Sequence, residues 1–193
     1  WLNRALPGYE LGPEQMFCHS LAVAAGAQVI ADQTGRVNRD DAFTVGLLHN
    51  VGKLAMSVLL ENKLPQMSLI CEKGAMSFDE VERRVFGHDH ATIGATLAET
   101  WNLPKPLVKA IRYHHSPDQC DEFMPLVDTV HVADFIAMSL GYGLGGDGLQ
   151  YAFCVNSLER LGLSTESMDD LASRVIETYD RYELMFQNKA IAA

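Results

Sequence analysis

The hydrophobic period of this chain constrains its fold most. From Met16 onward, apolar residues recur mostly every three or four positions, as in Met16, Leu21, Val23, Ala24, Ala27, Val29 and Ile30. That is the spacing of one face of an α-helix. No run of β-branched residues alternates with polar ones, so a sheet lacks its usual signal. End signals agree with the period. Pro13 and Glu14 suit the first turn of a helix over 13–34, and Gly35 suits its stop. Asn38, with Asp41 three residues on, suits the next start. Val51-Gly52 predicts a bend before the helix resumes over 54–60. Further helices are predicted from about Pro65 to Gly74 and from the capping box Ser77-Phe78-Asp79-Glu80 to Phe86. Others are predicted over 89–102, 104–115, 125–140, 149–162 and 165–188. Ser116-Pro117-Asp118 breaks the pattern, and the five glycines of 141–148 predict a loop. That loop lacks the G-K-[ST] ending of a phosphate-binding loop. The expectation is one all-α domain over residues 1–193, with no repeat and no linker.

Composition bounds the function. Of 193 residues, 48% are apolar and 21% charged, which excludes a disordered chain. Fifteen Lys and Arg face 25 Asp and Glu, a net charge of -10. The expectation is therefore no nucleic acid and no anionic membrane as partner. No run of about 18 apolar residues and no signal peptide is visible in this sequence, so no membrane span is expected. Cys18, Cys71, Cys120 and Cys154 are widely spaced and read as reduced thiols of a cytoplasmic protein. The opening Trp1-Leu2-Asn3 reads as a processed or excised start, with the second favoured.

The seven histidines carry the chemistry. Five lie in tight places: His49 beside Asn50, His88 with His90, and His114 with His115; His19 and His131 stand apart. Helix bundles bring such places together, and imidazole and carboxylate are favoured ligands for Fe, Mn, Zn and similar ions. Adjacent residues on a helix project roughly 100° apart, so two neighbours can reach one ion or two. A lone His on an apolar face is more often a core residue, which is the simpler reading of His131 and His88.

Several motifs together resemble a known family. Gly46-Leu47-Leu48-His49-Asn50-Val51-Gly52-Lys53-Leu54 resembles the G-L-L-H-D-[IV]-G-K-L signature of the HD superfamily. His19-Ser20-Leu21-Ala22-Val23-Ala24 resembles its H-S-x-x-V-A opening. His90-Ala91-Thr92-Ile93-Gly94-Ala95, Trp101-Asn102-Leu103-Pro104 and Ala110-Ile111-Arg112-Tyr113-His114-His115 resemble the HDOD (HD-related output domain) branch. Val132-Ala133-Asp134 and Leu161-Gly162-Leu163 resemble its later elements. The resemblance covers about residues 1–185 and implies an HD-domain-like helical bundle. It places metal ligands at His19, His49, Asn50, His90, His114, His115 and Asp134. It places Lys53 where catalytic relatives hold a lysine near substrate phosphate. It implies one divalent ion (Fe, Mn, Zn or Ni) or none.

The departures set the expected function. Asn50 stands where the signature has Asp, and a neutral amide bridges two metals poorly. No G-Y-P follows the His pair, and Gln15 stands where some three-metal relatives have Glu. The expected role is a non-catalytic output or regulatory domain of bacterial signal transduction with a degenerate HD site. Its expected partners are a signalling protein, other domains of a longer chain, or a second copy. The helical lobe that usually precedes this region in the family is expected to be missing before Trp1. The alternative is a metal-dependent phosphohydrolase or phosphodiesterase, in which Lys53 would act catalytically. A heme or oxygen site is a more distant reading. The acidic face of the last helix (Glu166, Asp169, Asp170, Glu177, Asp180, Glu183) reads as solvated, or as a partner surface.

Overall fold

The computed structural model describes residues 4–74, 76–121, 125–148 and 150–191, with side chains to 186. Trp1-Leu2-Asn3 lies outside the described residues. Among the described residues there are ten α-helices and no strand beyond one isolated bridge between Leu6 and Leu11. The helices are α1 (Gln15–Thr34), α2 (Arg39–Leu48), α3 (Lys53–Leu60), α4 (Leu64–Gly74) and α5 (Phe78–Phe86), then α6 (His90–Thr100), α7 (Lys105–Tyr113), α8 (Pro125–Ser139), α9 (Asn156–Leu161) and α10 (Met168–Ile191).

The predicted ends explain most boundaries. Gly35 takes a left-handed conformation and its N–H closes α1 on Ala31 O. The Asn38 side chain accepts from Asp40 and Asp41 N–H at the start of α2. Glu80 reaches back to Ser77 N–H at 2.9 Å to complete the box that opens α5. Small residues make α1 the hub. Ala22, Ala24, Ala25 and Ala27 leave it buried on nearly every side, and it packs against α2, α8 and α10. Leu21, Ile30, Val45, Ile111, Val130 and Leu171 are part of the main core around it. A smaller cluster gathers Tyr9, Met16, Met56, Leu60, Met67 and Phe78.

Two expectations change. Residues 149–162 are not one helix: among those described, only Asn156–Leu161 is helical. Residues 150–155 run as an irregular strap, with Tyr151 and Phe153 turned onto other rings. Finally, the stretch Arg39–Leu60 does pass as a membrane span by length and composition. Here it is two helices broken at 49–52, and 56% of its apolar window is buried in the protein. All four cysteines are free thiols.

Candidate metal centre

Helix ends deliver most of the ligand candidates. His19 sits in the second turn of α1, His49 closes α2, and Asn50 follows it. His90 opens α6 behind Asp89, whose carboxylate accepts from Thr92 N–H at 2.6 Å. His114 closes α7 with His115 next, and Asp134 lies within α8. Gly52 is what lets α3 start against α6. A Cβ there would stand 1.9 Å from His90 O, so a larger residue would push the two apart. This close approach brings the HD motif and the His90 motif to one place.

All seven predicted residues converge. His19, His49 and Asp134 form one group and His90, His114 and His115 another, with the ligand atoms of each within 4.8 Å of one another. Asp134 Oδ1 is 3.0 Å from His19 Nε2 and 3.5 Å from His49 Nε2, with no hydrogen bond formed. Asp134 Oδ2 lies 3.8 Å from His115 Nδ1. The His49 and His114 rings, 5.0 Å apart, join the two groups.

Ring orientation argues for a cation. Nδ1 of His19, His49 and His114 donates to the carbonyls of Tyr142 (3.1 Å), Gly46 (2.7 Å) and Ile111 (2.7 Å). His90 Nδ1 donates to Glu82 Oε2 at 2.7 Å. In the neutral tautomer each of these rings has a bare Nε2 aimed inward. Such outer bonds fix and strengthen imidazole ligands. Yet His19 Nε2 and His49 Nε2 face each other at 3.3 Å, and His90 Nε2 faces His115 Nε2 at 3.0 Å. His114 Nε2, Asn50 Oδ1 and Asp134 Oδ1 are buried with no hydrogen-bond partner. Protons are a poor remedy. Burial lowers the pKa of His49, and burial with imidazole neighbours holds His114 and His115 well below the usual range. Burial raises the Asp134 carboxyl, but His19 and His49 more than offset it and hold it well below the usual range. Neutral rings around one carboxylate fit a divalent ion such as Fe, Mn, Zn or Ni.

The lysine side is closed. Lys53 is buried, with Nζ 2.6 Å from Asp147 Oδ2. Its ammonium also lies 5.1 Å and 5.4 Å from the Tyr9 and Tyr151 ring centres. Asp147 belongs to the glycine loop 141–148, which lies on the site. Gly143 has φ +60, and a Cβ on it would meet Gln15 O at 2.3 Å and His19 Cβ at 2.7 Å. Gly146 N–H donates to Tyr9 O at 2.8 Å. The Tyr151 hydroxyl donates to Asp147 at 2.6 Å, and its ring stacks on His115 at 4.0 Å. Burial raises the Asp147 carboxyl, but Lys53 brings it below its ordinary value. The space left among His19, Asn50, Lys53, His115, Asp134 and Asp147 is about 20 Å³, room for a water or an ion.

A family model of the HDOD domain matches residues 3–117, more than half of the chain. The chain belongs to the HDOD domain family. Curated relatives include a protein of Treponema pallidum of uncharacterized function, 32% identical over 119 residues, 61% of this chain and 22% of that one. Another is ribonuclease Y of Thermus thermophilus, 28% identical over 146 residues, 76% of this chain and 20% of that one. This chain spans about a fifth of the length of both relatives. Among solved structures, an HDOD domain protein from Geobacter sulfurreducens is 24% identical (TM-score 0.60, 91% of this chain and 58% of that one). A proposed phosphohydrolase from Shewanella amazonensis is 24% identical (TM-score 0.62, 86% and 63%). The response regulator MmoQ from Methylococcus capsulatus is 25% identical (TM-score 0.55, 81% and 59%). These likenesses show the HD-like all-helical fold.

Sequence reasoning missed several neighbours of this HDOD site. Buried Glu82 on α5 accepts from His90 N–H at 2.9 Å, from His90 Nδ1 and from the Tyr9 hydroxyl. A signal was present: Phe78, Val81 and Glu82 share the buried face of α5, so Glu82 is an acid on an apolar stripe. Asp147 and Tyr151 carry no local signal, because their partners lie far away in the chain. His88 and Gln15 are exposed, outside the site. His131 also lies outside the ligand set, buried in α8.

Proposed function

We propose that this HDOD chain is a non-catalytic output domain of a bacterial signalling protein, built around a degenerate HD metal centre. The carrying observation is the buried Lys53–Asp147 pair beneath the glycine loop. Lys53, the cation that the resemblance places for a phosphate, is already neutralised, and the space of about 20 Å³ beside it is small for a phosphate ester. Asn50 adds a neutral oxygen to the centre rather than a bridging charge. A single divalent ion, held by Asp134 and the imidazoles of the two adjoining groups, would join the ends of separate helices and stiffen the bundle. The HDOD family and the naming of MmoQ as a response regulator support a signalling role. The proposed setting is cytoplasmic, and the proposed partners are other domains of a longer chain, a signalling protein or a second copy, rather than nucleic acid or membrane.

A second reading is favoured by the convergence of both ligand groups, and by the names of the Thermus and Shewanella proteins. It is a metal-dependent phosphohydrolase. The ion would supply a Lewis acid and an activated water. Lys53, released from Asp147, would steady charge on the phosphate.

Hydrolysis assays separate the two. Protein loaded in turn with Mn, Fe, Ni and Zn should not hydrolyse cyclic dinucleotides, RNA or aryl phosphates, and Asn50→Asp should remain inert at full metal occupancy. Turnover that vanishes in His49→Ala would overturn the non-catalytic reading.

A further inference from the structure

His131 is the histidine that the ligand set leaves over. It is buried in α8 at 3% exposure, one turn before Asp134. Its Nδ1 lies 2.7 Å from His114 O, and its Nε2 lies 2.9 Å from Cys154 N. These partners fix the tautomer without further assumption. A carbonyl needs a donor and an amide N–H needs an acceptor, so Nδ1 carries the hydrogen and Nε2 carries the lone pair. The His131 ring also stacks on Phe153 at 5.3 Å.

Both partners belong to the metal centre's surroundings. His114 O is the backbone of a ligand candidate, at the turn where α7 ends and His115 follows. Cys154 lies in the strap 150–155, whose Tyr151 stacks on His115 and bonds Asp147. One imidazole thus ties the His114-His115 turn to α8 and fastens the strap beside it. The turn is tied on another side as well. Asp118 accepts from Asn156 Nδ2 at 2.9 Å and from Arg160 at 2.6 Å, while Arg160 also holds Asp128 of α8.

We propose that His131 is a positioning residue for the metal centre, holding the His114-His115 turn at ligand geometry through its bond to the His114 carbonyl. This rests on the metal centre proposed above. His131 touches no ligand atom, so its effect passes through the backbone that carries two ligands. Outer groups that orient metal ligands typically change affinity 10–100-fold when removed. Burial lowers the His131 pKa, which agrees with a neutral ring held in one tautomer.

Three substitutions separate positioning from packing. Asn places its amide nitrogen near the position of Nδ1, so His131→Asn keeps the donor to His114 O and loses the acceptor for Cys154. Gln places its polar end near Nε2, so His131→Gln keeps the Cys154 bond and more of the ring's volume. His131→Ala removes both. Affinity is read by Zn²⁺ competition titration and geometry by the visible absorption of the Co²⁺-loaded protein, with thermal melts as the folding control.

The expected result is a 10–100-fold loss in His131→Ala and His131→Gln with a changed Co²⁺ spectrum. His131→Asn should stay within about threefold of wild type, with the parental spectrum. If His131→Ala does not fold, the Asn and Gln pair decides. Wild-type affinity in every folded variant, with only the melting temperature lowered, would overturn the positioning role and leave the metal centre standing. A wild-type protein that binds neither Co²⁺ nor Zn²⁺ would overturn both.

Discussion

The imidazole half of the site presents bare ring nitrogens to one another, whereas the lysine half a few ångströms away is closed upon itself. His19 and His49 face each other at 3.3 Å, and His114 Nε2 and Asn50 Oδ1 have no partner. Lys53, by contrast, has a carboxylate at 2.6 Å and two aromatic rings near its ammonium. Unmatched buried acceptors destabilise a fold unless something charged fills the gap. A matched buried pair is complete as it stands. The difference teaches that the centre is arranged to hold a cation and not to receive an anion, since its own Asp147 already occupies the place an anion would take.

The largest effect that could break this contrast is on the closed side. Asp147→Ala leaves the Lys53 charge buried and unpaired, and losing one partner of a buried pair typically costs about 3–5 kcal/mol. Denaturant unfolding should show that loss; a cost under about 1 kcal/mol would mean that the lysine side is not closed in solution. On the open side, Glu82→Gln weakens the acceptor of His90 Nδ1 without removing a ligand. Metal affinity should fall about 10–100-fold by competition titration, equivalent to about 1.4–2.7 kcal/mol. Unchanged affinity would remove the His90 group from the centre.

The smallest effect is on pH. Asp147 titrates below its ordinary value in the fold, so the unfolded chain takes up its proton first as pH falls. Its stabilising contribution is therefore present above the unfolded value near 3.9 and is lost as pH falls through the lower folded value. The stability gap between wild type and Asp147→Asn should be constant from about pH 8 to 5 and shrink only below about 4. A gap that closes near pH 6 would contradict the pairing.

Much of the site was readable in the sequence because its residues sit at helix ends, and helix ends have local signals. Asn38, Gly35 and Ser77 mark their helices with their own side chains or backbone. The seven ligand candidates follow motif spacing, which the close approach at Gly52 then folds together. Asp147 was hidden because its partner Lys53 lies 94 residues away. The strap was misread as helix because Leu158 and Leu161 extend an apparent helical period backward. Tyr151 and Phe153, alternating with Ala152 and Cys154, follow the spacing of extended chain instead. His131 looked like a core residue, and it is one; its role lies in which backbone groups it joins.

The central claim is tested most directly on one purified sample, by measuring bound divalent metal per chain and phosphodiester turnover together. The account predicts about one ion per chain, none in Asp134→Ala, and no turnover at full occupancy. Wild-type protein that binds no ion, or that turns over substrate in proportion to its metal content, would contradict it.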